Sequence, residues 1–84
     1  MQISEKFEMP NYANRGGDSG IVAYESGPDW IEVEFTSGAY RFYKYTYASA
    51  GSGQIEVMKK LAADGHGLNS YINTTVKNGY ASRR

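Results

Sequence analysis

The sequence predicts an α+β domain: a three-stranded antiparallel meander followed by two C-terminal helices packed on one face. Three observations lead there. From Trp30 to Thr36, Ile31, Val33 and Phe35 alternate with Glu32, Glu34 and Thr36, the period of two of a half-buried strand. Ala39–Tyr45 is a second run, rich in aromatics, separated from the first by Ser37-Gly38. Between Gln54 and Ala63, Ile55, Met58, Leu61 and Ala62 form one helical stripe, with Glu56, Lys59 and Lys60 off it.

The chain has 84 residues and no cysteine. A domain of this size buries only about 60–65% of its unfolded surface, so one modest core is expected and a deep cavity is not. Without cysteine there is no disulfide framework and no thiolate metal site. Met1–Pro10 is charged and lacks the apolar stretch of a secretory signal. No apolar run approaches the ~18 residues of a membrane helix. The expectation is a soluble cytoplasmic protein with no membrane partner.

Residues 1–17 read as an N-terminal extension, because Pro10, Gly16 and Gly17 are turn and linker chemistry. Residues 18–84 form the domain. Its first strand covers Ser19–Glu25, and either Ile21/Ala23 or Val22/Tyr24 can face inward. Ser26-Gly27-Pro28-Asp29 ends it, since Pro28 has no N–H to donate.

A two-residue loop at Ser37-Gly38 pairs Val33 with Phe42, Glu34 with Arg41 and Trp30 with Tyr45. Ile31, Val33, Phe35, Tyr40 and Phe42 then make the core face. Trp30, Glu32, Glu34, Arg41, Tyr43 and Tyr45 make the outer face. One more loop residue would exchange the two sets, because side chains alternate with period two.

Ala48–Gly53 reads as flexible punctuation, with Ser52 as N-cap of the first helix and Gly65 as its stop. Leu68–Asn78 reads as a second, weaker helix, capped by Asn69. Thr74, Thr75 and Val76 count against it, because β-branched residues lose side-chain freedom in helices. Tyr80 can dock back onto the domain, and Ser82-Arg83-Arg84 is a short basic end.

Charge is divided unevenly. Residues 1–40 carry two cations against seven carboxylates, and residues 41–84 carry seven against two. Such asymmetry marks either a basic binding face or mutual neutralisation between elements.

Catalytic motifs do not emerge, and no enzymatic activity or cofactor is expected. His66 is the single histidine, set between Gly65 and Gly67, and lacks the co-ligands of a transition-metal site. No nucleophile elbow accompanies it. Gly51-Ser52-Gly53 lacks the Gly-Lys-Ser/Thr of a phosphate loop. Glu32 and Glu34 share one strand, whereas glycosidase carboxylates flank a cleft.

The candidate binding residues are aromatic and basic: Trp30, Arg41, Tyr43 and Tyr45 on the outer face, with Tyr47 beside them, extended by Lys59, Lys60, Lys77, Arg83 and Arg84. Aromatic rings on a sheet stack nucleobases while Arg and Lys meet phosphates. Exposed Trp, Tyr and Arg also form protein hot spots. Both partner classes stay open.

Ser19-Gly20-Ile21 with Tyr24-Glu25, then Ile31–Phe35, Gly38 and Tyr40-Arg41-Phe42, resemble a known pattern. Leu61, Ala62, Gly65, Leu68, Asn69, Ile72 and Tyr80 continue it. Over residues 18–84 the chain resembles the KTSC domain, a small bacterial and phage domain also found at the C-terminus of some lysyl-tRNA synthetases. The resemblance implies a non-enzymatic binding module, with RNA the ligand favoured by the synthetase context. A protein-binding accessory or inhibitor, such as a phage protein acting on a host complex, is the alternative. The chain departs from the family where Phe42 replaces the second Tyr of a Tyr-x-Tyr motif. Asn73 stands where an Arg is usual, and Gly67-Leu68 where Tyr-Phe is usual.

Overall fold

A computed structural model describes Ala13 and residues 20–84. The expected extension over residues 1–17 falls outside the described residues except for Ala13, which lies against Gly65.

The fold is α+β, an antiparallel sheet with helices packed against one face. Strands β1 (Ile21–Gly27), β2 (Trp30–Phe35) and β3 (Phe42–Thr46) form a meander. Helices α1 (Tyr47–Ala50), α2 (Ser52–Asp64) and α3 (Leu68–Tyr71) follow, and α3 runs into a π-turn over Ile72–Val76. A two-residue strand, β4 (Ser82–Arg83), returns to pair with β3.

The β2–β3 register differs from the expected one. Ile31 pairs with Tyr45, Val33 with Tyr43 and Glu34 with Phe42. The hairpin loop is Thr36–Tyr40, closed by the Phe35 N–H donating to Arg41 O at 2.7 Å. Two-residue hairpin loops need φ > 0 at their first central residue and so favour Gly, Asn or Asp there. Ser37 is a poor occupant of that position, and the longer loop lets Gly38 take φ +114° instead. The register shifts by one residue, which turns β3 over. Tyr43 and Tyr45 therefore face the helices, while Phe42 lies on the opposite face and Tyr40 is exposed.

The core forms where the sheet meets α2. Ile31, Val33 and Tyr45 pack with Ile55, Met58 and Ala62, then with Leu68, Ile72 and Val76. Leu61, expected in the same stripe, packs partly buried at the edge. Burying one such side chain contributes about 1.5–3 kcal/mol, so these residues carry most of the fold's stability. In β1, Ile21 and Ala23 are buried and Val22 is exposed at an irregularity in the ladder. Beyond it Tyr24 pairs with Val33 and also packs on the core.

The connections are more regular than expected. Ala48–Gly53 is not simple punctuation, because α1, begun by a reciprocal cap at Thr46, runs into it. The Ser49 N–H donates to Thr46 Oγ1 at 3.1 Å, and the Thr46 N–H donates to Ser49 Oγ at 3.0 Å. Gly51, not Ser52, stands at the N-cap of α2, and Gly67, not Asn69, at that of α3. Gly65 ends α2 in the left-handed conformation, as expected. The second helix keeps only one regular turn before the β-branched Thr74-Thr75-Val76 run widens it. The Lys77 N–H then reaches back to Ile72 O at 2.6 Å.

Candidate functional site

The register divides the expected binding residues between several places. Trp30 lies on the helix-free face of the sheet, its ring over Gly27 and under Lys44 Nζ, which is 4.7 Å from the ring centroid. Arg41 and Arg84 reach that face too, but each is occupied. Arg41 pairs with Glu34 at 3.2 Å and Arg84 with Glu32 at 3.3 Å, and the Arg84 guanidinium covers Phe42. The expected Glu34–Arg41 pair thus forms, although in the ladder Glu34 faces Phe42. Lys59 donates to Gly27 O at 3.1 Å and to Glu56, joining α2 to the β1–β2 turn. Lys60 pairs with Asp64 along α2.

Tyr43, Tyr45 and Arg83 meet elsewhere, in a groove on the helix side of the sheet. Its volume is about 280 Å³. Tyr40, Tyr43, Tyr45, Tyr80 and Phe35 supply aromatic walls, while Asn73, Lys77, Asn78 and Arg83 supply polar groups. Among the described residues, no carboxylate lines it.

Several parts of the fold converge to build this groove. β3 presents Tyr43 and Tyr45, the hairpin loop presents Tyr40, and β4 presents Arg83. The rings support one another edge to face: Phe35 on Tyr43 at 5.4 Å, Tyr43 on Tyr80 at 5.2 Å and Tyr45 on Tyr80 at 6.4 Å. Such pairs contribute about 0.5–1.5 kcal/mol beyond area burial and hold ring orientation. Tyr45 is sealed from solvent, and burial, reinforced by Tyr43 and Tyr80, pushes its phenol above the ordinary range. It is therefore a neutral floor to the groove at physiological pH.

The opposite wall is strained. Lys77 adopts φ 53° and ψ −116°, and the Gly79 N–H donates to Val76 O at 3.0 Å across it. Those dihedrals belong to the first central position of a type II′ turn, where glycine is preferred. A lysine there costs about 1–3 kcal/mol and persists only because the surroundings hold it. Strain and π-turn together set Ile72, Asn73, Lys77 and Asn78 along the groove.

Arg83 completes the site. Its guanidinium lies 4.1 Å from the Tyr40 ring centroid and 5.1 Å from that of Tyr80. Among the described residues, neither Arg83 nor Lys77 pairs with a carboxylate. Lys77 was expected as a cation extending the outer face and Tyr40 as a core residue, whereas Asn73 and Asn78 were not expected here from sequence. Their only signal was the run of polar residues after Ile72, which reads equally as a helix surface.

Among the described residues, no three His, Cys, Asp or Glu side chains gather as a metal site would require. None of their helices is long and apolar enough to cross a membrane. No protein-family model, curated protein or solved structure matches the chain.

Proposed function

We propose that this protein is a non-enzymatic binding module for single-stranded nucleic acid, RNA in the first instance. One observation carries the reading: a groove walled by tyrosines whose two cations meet no carboxylate, and whose lining holds no acidic group, among the described residues. Every nucleobase has a π-face that stacks on such rings, and Lys or Arg beside them meets the phosphate. The resemblance of residues 18–84 to KTSC domains supports the same ligand class. A double helix is a poorer candidate, since its bases are already stacked and a groove this small cannot seat it.

Titration with short single-stranded RNA and DNA at low salt tests the proposal. Binding is expected to weaken as salt rises, with a log–log slope of about −1.4 for two phosphate contacts on a single strand. Absence of binding to either polymer at low salt would falsify it.

A protein partner is the second reading, and a different surface favours it. Trp30 and Phe42 stand on the helix-free face beside arginines already neutralised by Glu32 and Glu34. Aromatic residues among self-compensated charges suit a protein contact better than a polyanion. Capture of a defined partner that survives nuclease treatment and is lost in Trp30→Ala would support it.

A further inference from the structure

Arg83 differs from its neighbours in how its charge is held. Arg41 and Arg84 are neutralised by carboxylates, whereas Arg83 lies against the rings of Tyr40 and Tyr80. A guanidinium is planar and weakly hydrated, so it stacks on aromatic rings and on bases alike. The groove is also small. At about 280 Å³ it falls just below the usual range for small-molecule sites. Proteins that track a longer strand use an extended cationic groove, and among the described residues the lining here holds only Lys77 and Arg83 as cations.

We propose that the groove takes a single unstacked nucleotide, with Arg83 as a stacking plane for the base rather than only a positive charge. The proposal rests on the nucleic-acid reading above. In it the base lies on the layer built by Tyr40 and Arg83, Lys77 takes the phosphate, and the Asn73 and Asn78 amides lie at the base's polar edge. Edge-to-face support from Tyr43 behind Tyr80 holds this arrangement before any ligand arrives.

The test compares nucleoside monophosphates, dinucleotides and an octanucleotide by NMR titration, using the wild type, Arg83→Lys and Arg83→Gln. The octanucleotide is expected to gain over the dinucleotide only the statistical factor for the positions it offers. Arg83→Lys should bind about fivefold more weakly or worse with an unchanged salt slope, because it keeps charge and loses the plane. Arg83→Gln should lose both affinity and slope. Affinity that climbs beyond that statistical factor with strand length would overturn the single-nucleotide site. Wild-type affinity in Arg83→Lys would overturn the stacking role. If the wild type binds none of these probes at low salt, the nucleic-acid reading itself fails, and this inference with it.

Discussion

Ile31 faces Tyr45 across the β2–β3 ladder, and both side chains are sealed from solvent. This pairing decides which tyrosines can contribute to the groove. It commits Tyr43 and Tyr45 to the helix side, where Tyr80 closes on them. It equally commits Phe42 and Trp30 to the other side.

The buried phenol of Tyr45 makes stability fall in alkali. In the unfolded chain it ionises near its ordinary value of 10.0, while in the folded protein it keeps its proton to higher pH. The folded state then binds more protons, so its contribution is intact below about pH 10 and declines above it. Tyr45→Phe should remove that part of the decline and change stability at neutral pH by less than about 1.5 kcal/mol. Urea midpoints measured between about pH 8 and pH 11 check both effects. An unaltered alkaline slope in the variant would show that other groups carry it.

Glu56 should matter at the acid end. Its carboxylate accepts from Tyr47 Oη and from Lys59, and these contacts hold it below its ordinary value of 4.5. Stability from this group is present above that value and lost as the pH falls through the lower folded one. Glu56→Gln should shift the acid midpoint and also lessen the alkaline decline, because the hydrogen bond to Glu56 raises the Tyr47 phenol. Because the group is exposed, added salt should shrink the difference.

Lys77 sets binding against stability. Lys77→Gly places the preferred residue at a positive-φ position and should stabilise the fold by about 0.5–1 kcal/mol after the entropy cost of glycine. The same change removes a cation from the groove and should reduce the salt slope for single strands by about 0.7. Thermal unfolding and oligonucleotide titration should therefore move in opposite directions.

Tyr40 and Trp30 separate the two faces. Tyr40 is exposed and lines the groove beside Arg83, so Tyr40→Ala should weaken oligonucleotide binding by about 1–3 kcal/mol. Its stability should change little. Trp30→Ala should leave that affinity unchanged and cost about 0.5–1 kcal/mol of stability from the lost contact with Lys44. The reverse pattern would move the nucleic-acid site to the helix-free face.

The fold class and the α2 core stripe were legible because they depend on local periodicity. Strand β2 alternates, α2 repeats Ile55, Met58 and Ala62 at helical spacing, and Gly65 stops it in the left-handed region that glycine adopts without steric cost. The short α1 was legible in principle, since Thr46 and Ser49 stand at capping distance. Strand β4 was not, because two residues carry no period and acquire one only by pairing with Tyr43 and Lys44.

Of the expected binding residues, Tyr43, Tyr45, Lys77 and Arg83 come together, but with Tyr40 and Tyr80 rather than with Trp30 and Arg41. The sequence alone determined that aromatic strands and one amphipathic helix would share a small core. It also determined that charge would be divided between the halves of the chain. Only the tertiary structure decided which aromatic residues face that core. The hairpin pattern of Tyr40–Tyr45 is nearly as apolar on one face as on the other, so periodicity assigns neither. The length of the loop at Gly38 and the burial of Tyr45 against Ile31 broke the tie.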